Sequence, residues 1–245
     1  MPVFRLSSAT LDFPDPSLAE PDGLLAVGGD LSPQRLLRAY ALGIFPWYPE
    51  NSPILWWSPD PRCVLVPGDL HVPRSLTRTL RRQPFAFSLD QAFDQVIENC
   101  AATRRENGTW LLPEMIAAYR LLHSLGLAHS AEAWHEGELA GGVYGLALGR
   151  IFFGESMFFR RPDASKAALV HLVRGLEAAG FQLLDCQQET ANLRRFGAQG
   201  IPRGEFLGRL CAALSRPAKS GSWREGIPPF PTRDCPAAET DMPVC

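Results

Sequence analysis

Three strand-like runs follow one another in the second half of the chain: AHSAEAWH (128–135), ELAGGVYGLALG (138–149) and RIFFGESMFF (150–159). Only short turns, around EGE and around Gly149 and Arg150, separate them. Strands this close in sequence pair antiparallel, because a parallel pair needs a crossover of a dozen or so residues. The three runs therefore predict a meander. Gly141, Gly142 and Gly145 in the second run point to a bulge or to close approach of another backbone. ASKAALVHLVRGLEAAG (164–180) then reads as a helix, capped by Ser165 or Asp163 and stopped by Gly180. FQLLDCQ (181–187) reads as one more strand.

Upstream, RCVLVP (62–67) reads as a strand, and helices are expected over 73–82, 89–104 and 113–125. SPQRLLRAYALGIF carries Ser32 as an N-cap, Pro33 at the first helical position and Gly43 as a stop, with Leu36, Leu37, Tyr40 and Ala41 as the apolar face. Helices, a meander, a helix and a strand make an α+β fold with a mixed, largely antiparallel sheet flanked by helices. That order resembles the GNAT acyltransferase fold. The 22 prolines gather in FPDPSLAEP (13–21), in PWYPENSPILWWSPDPR (46–62) and in the tail from Arg216. They divide the chain into a small N-terminal α/β domain over 1–62, a main domain over 63–215 and a Pro-rich extension over 216–245 with a mobile end.

A composition of 46% apolar residues is enough for a substantial core, and a net charge of −2 excludes strong overall attraction to nucleic acid or anionic lipid while leaving room for a local basic face. No apolar run reaches the ~18–20 residues of a membrane span, and the N-terminus lacks a signal-peptide layout, so a cytoplasmic protein is expected. Cys63, Cys100, Cys186, Cys211, Cys235 and Cys245 are scattered without a CxxC pair. They read as small apolar residues or free thiols rather than a zinc site or a disulfide framework. The five histidines show no metal-ligand spacing, and no metal site is expected.

Three constellations carry chemistry. In LLDCQQET (183–190), Asp185 and Gln187 share one face of a regular strand, and a carboxylate beside an amide suits an incoming amine. Glu155 lies among Phe152, Phe153, Met157 and Phe158, where a carboxylate needs a partner; the structural reading is an ion pair with Lys166 or an arginine. Arg74, Arg78, Arg81 and Arg82 fall on one side of a helix, either as a solvated face or as a ridge for phosphates. Trp47, Trp56, Trp57, Trp110 and Trp134 suit a core, and those in loops also suit stacking on a nucleobase. GESMF is not a nucleophile elbow, and LLAVGGD lacks the dinucleotide fingerprint.

DGLLAVGGDLSPQRLLRAYALGIFPWY, PILWWSPDPR, HVPRSL, GTWL, GGVYGLALG, FFGESMF, SKAALVHL and LLDCQ, in order from about residue 10 to 215, resemble the leucyl/phenylalanyl-tRNA–protein transferase family. The resemblance implies a small N-terminal domain, a GNAT-like C-terminal domain and no cofactor, CoA included. It implies transfer of Leu or Phe, weakly Met, from aminoacyl-tRNA to proteins with N-terminal Arg or Lys, creating an N-end rule degradation signal. A monomer is expected. By position it implies Trp47, Trp110 and Tyr119 at the tRNA 3′-adenosine. Val143, Phe152, Met157, Leu169, Leu176 and Leu184 form the pocket for the transferred side chain, Val143 standing where the family often has Met. Glu155, Asp185 and Gln187 form the reaction centre, and Arg74, Arg78, Arg81 and Arg82 contact the tRNA. Asn192 stands where the family commonly has His.

The expected chemistry is aminolysis of an activated ester, for which alignment supplies much of the rate. Asp185 orients Gln187, whose carbonyl oxygen accepts a hydrogen from the attacking amine; Asp185 as direct base and the ribose 2′-hydroxyl as shuttle are alternatives. Glu155 holds the donor's ammonium or orients the ester. Two other readings fit parts of the chain. A CoA-dependent GNAT acetyltransferase needs a Gly-rich pyrophosphate loop before the helix, and GESMFFRRPDASK has no glycine after Gly154. A non-catalytic RNA-binding module leaves Asp185 and Gln187 without a purpose.

Overall fold

The computed structural model describes residues 3–82, 84–103, 111–216 and 221–230. The chain opens with β1 (Phe4–Leu6) and β2 (Leu24–Gly28), then α1 (Pro33–Ala41), β3 (Phe45–Pro46) and β4 (Leu55–Trp57). These strands form a small sheet in the order β1-β2-β4-β3. As expected, the Ser32 side chain caps α1, accepting from the Arg35 amide, and Pro33 fills the first turn. Gly43 ends it at φ +73°, where a Cβ would lie 2.8–2.9 Å from Leu207 and Phe206.

The chain continues through β5 (Arg62–Leu65), α2 (Arg74–Arg81), β6 (Ala86–Leu89), α3 (Phe93–Ala102) and α4 (Pro113–Ser124). The meander comes next as β7 (Ala128–His135), β8 (Glu138–Leu148) and β9 (Ile151–Phe159). Last come α5 (Ala164–Ala179), β10 (Leu183–Gln187), α6 (Ala191–Arg195), β11 (Gln199–Ile201) and α7 (Arg203–Leu214). The second sheet runs β11-β5-β10-β9-β8-β7-β6. Only β9 and β10 pair parallel; every other neighbouring pair is antiparallel. The fold is thus α+β with a mixed, largely antiparallel sheet.

Helices cover both faces of this sheet. α3, α4 and α7 pack on one face, around Tyr119, Phe153, Phe158 and Phe206. α5 packs on the other, around Val143, Phe152 and Leu172, with Leu76 of α2 beside it. The first cluster also takes in Leu25, Leu36, Tyr40 and Trp56. The small N-terminal sheet therefore shares its apolar core with the main sheet.

Two expectations are corrected. The helix foreseen over 89–104 starts only at Phe93, and 86–89 is an edge strand pairing with β7. Asp90 turns the chain between them at φ +55°. It is buried, hydrogen-bonding His129 and accepting from the Ser130 amide. Asp163 stands at the N-cap position of α5, at φ +66°, but its side chain makes no capping bond; its carboxylate holds Lys166 and Thr79 instead. The described part of the extension, 221–230, packs on the main domain. Trp223 is 2% exposed, stacked on His129 at 3.7 Å, and its amide donates to Asp90. The stretches 217–220 and 231–245 lie outside the described residues.

Two irregularities distort the main sheet near its centre. β8 and β9 shift register beside Tyr144 and Gly145. β10 and β5 shift register between Asp185 and Gln187, where Gln187 sits at φ +61°. The parallel pairing of β9 with β10 stops at Phe153 and Asp185, while β9 runs on to Phe159. A cavity opens where the two strands part.

Candidate active site

The cavity is about 450 Å³, within the range of roughly 300–1,000 Å³ usual for small-ligand sites. Val143, Met157, Leu169 and Leu184 give it apolar walls, and Glu155, Ser156, Gln187 and Gln188 line its polar side. Phe45 and Trp47 reach it from the small sheet, and Asn192 and Leu193 from α6.

Asp185 lies beneath this lining. It is fully buried and grips the fully buried Arg62 with both oxygens: Nε to Oδ1 at 2.8 Å and Nη2 to Oδ2 at 2.6 Å. Arg62 also donates to the Gly43 carbonyl and lies over the rings of Phe45 and Phe206. A buried charge pair of this kind needs such additional partners to offset its desolvation. Asp185 Oδ1 accepts one further bond, 2.9 Å from the Gln187 backbone amide. The expectation that Asp185 and Gln187 share a strand face and meet side chain to side chain is therefore corrected. The bulge breaks the two-residue period, so Asp185 fixes the backbone of Gln187 while the Gln187 side chain turns elsewhere.

It turns to Glu155. Gln187 Nε2 donates to Glu155 Oε1 at 2.9 Å, so two neighbouring strands meet at the cavity wall. Glu155 is not in the ion pair that burial suggested; Lys166 bonds Asp163 instead. Its partners are two phenols. Tyr40 donates to Oε1 at 2.7 Å and Tyr119 to Oε2 at 2.9 Å, and the two hydroxyls also bond each other. Three oxygen–oxygen contacts need three protons, and two phenols supply two. Once the Glu155 carboxyl carries a proton the ring closes, with Tyr119 turning from donor to acceptor at that carboxyl: Glu155 to Tyr119, Tyr119 to Tyr40, and Tyr40 back to Glu155. The energetics agree. Burial pushes the Glu155 carboxyl up to about 7, against the lowering effect of both tyrosine bonds. Burial, and then Glu155 itself, hold both phenols well above their usual range.

The remaining expected residues divide. Phe152 and Leu176 do not reach the cavity; both are fully buried in the cluster behind it. Trp47 lines the mouth at 45% exposure, with its carbonyl bonded by the Trp57 indole. Tyr119 is corrected: it is fully buried, and its hydroxyl is engaged, so no nucleobase can stack on it. Trp110 lies outside the described residues. Arg74, Arg78, Arg81 and Arg82 all stand exposed along α2 and its C-terminal cap, and none joins an ion pair among the described residues. The sequence alone does not single out Arg62 or Tyr40 for the site. For Arg62 a signal exists, an arginine opening the otherwise apolar strand after SPDP. Among the described residues, no group of three or more His, Cys, Asp or Glu could hold a metal ion, and no helix is long and apolar enough to cross a membrane.

Two family models match the chain. One, described as leucyl/phenylalanyl-tRNA protein transferase, covers residues 64–211, and one described as the N-terminal domain of the same transferase covers residues 29–60. A leucyl/phenylalanyl-tRNA–protein transferase of Anaeromyxobacter sp. (strain K) is 60% identical over 228 residues, covering 92% of this chain and 97% of that one. Its counterpart from Desulfatibacillum aliphaticivorans is 57% identical over 225 residues, covering 91% and 96%. Two solved structures align at much lower identity. The C-terminal domain (DUF2156) of a putative lysylphosphatidylglycerol synthetase from Agrobacterium fabrum aligns with a TM-score of 0.40 at 12% identity, over 66% of this chain and 54% of that one. A GCN5-related N-acetyltransferase from Kribbella flavida aligns with a TM-score of 0.35 at 12% identity, over 69% and 60%. Likeness at that level decides nothing about activity.

Proposed function

The chain belongs to the leucyl/phenylalanyl-tRNA protein transferase family, and from that premise we propose how its cavity carries out the reaction. The protein is an aminoacyltransferase that moves an amino acid from aminoacyl-tRNA to a protein N-terminus. The ester C–O bond gives way to an amide C–N bond. The attacking ammonium loses two protons, one to the departing ribose oxygen and one to the medium.

The donor's side chain enters between Val143, Met157, Leu169 and Leu184. A slot with apolar walls accepts Leu and Phe and rejects polar side chains. One methylene more or less changes binding by only ~1–3 kcal/mol, so weak use of Met is expected. Gln187 faces the reacting atoms. Its Nε2 is committed to Glu155, and its Oε1 has no hydrogen-bond partner among the described residues. That oxygen accepts a hydrogen of the attacking amine. Asp185 acts through the backbone and is a positioning residue, not the base. Glu155 exchanges a proton near neutral pH; its ionised form, on the cavity wall, takes up the one the ammonium must release and returns it to the medium through the cavity. Trp47 stacks on the 3′-terminal adenosine, and the exposed arginines of α2 contact tRNA phosphates. Acceptors begin with Arg or Lys, and the product carries an N-end rule degradation signal. The protein works as a cytoplasmic monomer.

The observation that carries this reading is the 2.9 Å contact joining Glu155 to Gln187 on the wall of an apolar-walled cavity. The test is transfer from radiolabelled Leu-tRNA to a peptide beginning with Arg, set beside the same peptide beginning with Ala. Label is expected on the first alone. Gln187→Ala is expected to lower kcat by at least about 10²-fold with the fold intact, in line with the loss of a group acting on the proton transfer. Equal labelling of the two peptides overturns the acceptor assignment, and an unchanged rate in Gln187→Ala overturns the role given to that residue.

A further inference from the structure

Beside the reaction centre lie two thiols that the transfer chemistry does not use. Cys63 opens β5 just after Arg62, and Cys186 stands in β10 between Asp185 and Gln187. The β5–β10 ladder pairs Val64 with Asp185 and Cys63 with Gln187, so Cys186 is the extra residue of the bulge. A bulge sets two residues of one strand against one of its partner; here both Cys186 and Gln187 oppose Cys63. Opposed Cα atoms in a regular antiparallel pair lie about 4.5–5.5 Å apart, and a disulfide spans ~4.4–6.8 Å; Gln187 holds the regular place opposite Cys63, and Cys186 is its neighbour on the bulge. Both side chains pack in the same apolar cluster. The Cys186 thiol has the Leu184 carbonyl as acceptor at 4.0 Å, and the closeness of the two sulfurs holds the Cys63 thiol below its usual range and Cys186 well above it. The two differ in access: Cys63 is 1% exposed, whereas Cys186 is half-buried and lines the cavity.

We propose that Cys63 and Cys186 are a redox-modification site: a hydroperoxide entering the cavity closes them into a reversible disulfide, and the closed form does not transfer. The peroxide oxygen first adds to the Cys186 sulfur, which faces the cavity, while the Cys186 proton passes to the departing peroxide oxygen, giving a sulfenic acid and releasing one water, or an alcohol from an organic peroxide. The Cys63 sulfur, the better nucleophile of the pair, then displaces hydroxide, which leaves as water with the Cys63 proton. Two thiols are oxidised and one peroxide is reduced. The new bond ties the bulge to β5. Gln187 comes directly after Cys186 and keeps its left-handed backbone only through that bulge, so the link draws its amide away from Glu155. A dithiol reductant reverses the change.

The disulfide stands on strand geometry alone, whereas its effect on activity rests on the proposed transfer function. The experiment reads the two separately. The fully reduced, full-length protein is titrated with hydrogen peroxide, quenched by alkylation, digested without reductant and mapped by mass spectrometry. Transfer is measured on the same samples before and after dithiothreitol. Expected is a cross-linked pair of peptides joining Cys63 to Cys186, two hydrogens lighter than their sum. It should accumulate in step with a loss of transfer of about tenfold or more that dithiothreitol restores. Cys63→Ala should keep the basal rate and lose the restorable inactivation. The proposal is overturned if Cys186 proceeds to sulfinic acid with no linked pair, if the only links involve Cys211, or if Cys63→Ala is inactivated and restored like the parent. A linked pair with an unchanged rate overturns the inhibitory effect. A reduced protein that transfers nothing sinks the proposed function, and the peptide map then still decides the disulfide.

Discussion

Burial makes the Glu155 carboxyl keep its proton to higher pH than one in water, in spite of the two phenols bonded to it, and this makes Glu155 a measurable feature of the folded chain. In the unfolded chain it titrates near 4.5, and in the folded one near 7. Between those values the native state holds one more proton than the unfolded state. Its contribution to stability is therefore full below about pH 4.5 and is lost as pH rises through about 7, on the order of 3 kcal/mol. Glu155→Gln places a permanent N–H where the carboxyl proton sits, so the ring closes at every pH. The variant is expected to show a flatter stability profile between about pH 4.5 and 7 than the parent, read as urea midpoints; parallel profiles would contradict the buried proton. Asp185→Ala tests the other carboxylate. It strands the Arg62 guanidinium in the core and should cost about 3–5 kcal/mol. Replacing both, Asp185→Ala with Arg62→Met, should recover much of that stability without recovering transfer; a double variant as unstable as the single one rules the pairing out. Glu155, Asp185 and Gln187 could be read from the sequence because each interrupts an apolar run. Arg62 and Tyr40 could not be placed at the site, because their partners lie 123 and 115 residues away, and no local pattern encodes a contact at that separation.

At the scale of elements, the meander was legible because its strands are long, close in sequence and separated by short turns. β6 was not, because its four residues merge into the apolar period of α3 and the break between them depends on Asp90, whose partners lie on β7 and in the C-terminal extension. The glycines of β8 foretold close approach, and Gly145 shows the physical reason. A Cβ there would lie 2.1 Å from the Phe153 carbonyl oxygen and 2.5 Å from the Phe152 ring. Both belong to β9, which bears Glu155. Gly145→Ala must push the two strands apart at the register shift, and cores that are overpacked in this way lose about 1–3 kcal/mol or more. We expect a urea midpoint lowered to match, with transfer falling further than stability alone explains, since Glu155 shifts with its strand. A variant of unchanged stability and rate would show that the ladder yields at no cost and that β9 is not held where the chemistry needs it.

At the scale of the molecule, the reaction centre sits on a seam. Tyr40 and Phe45 come from the small sheet's module, Arg62 from the first strand of the main sheet, Tyr119 from α4, Glu155 from β9 and Gln187 from β10. The proline-rich boundary near residue 62 was visible in the sequence, but composition cannot show whether two modules separated in sequence have separate cores. They do not: Leu36, Tyr40 and Trp56 pack in one cluster with Phe93, Tyr119 and Phe153. The extension adds to this unity from the other side, with Trp223 closing over His129 and Phe230 against Phe181. A chain with a shared core and a tail clamped to it has no surface along which a part can detach without exposing buried aromatics. Unfolding should therefore be a single transition, with far-UV circular dichroism and tryptophan fluorescence coinciding in urea. Trp223→Ala should lower the midpoint of that one transition by the equivalent of about 3–5 kcal/mol, although the residue lies beyond the 64–211 span that the main family model matches. Two resolved transitions in the parent, or a Trp223→Ala variant as stable as the parent, would mean that the modules or the extension fold on their own and that the seam is held only by the hydrogen bonds of the site.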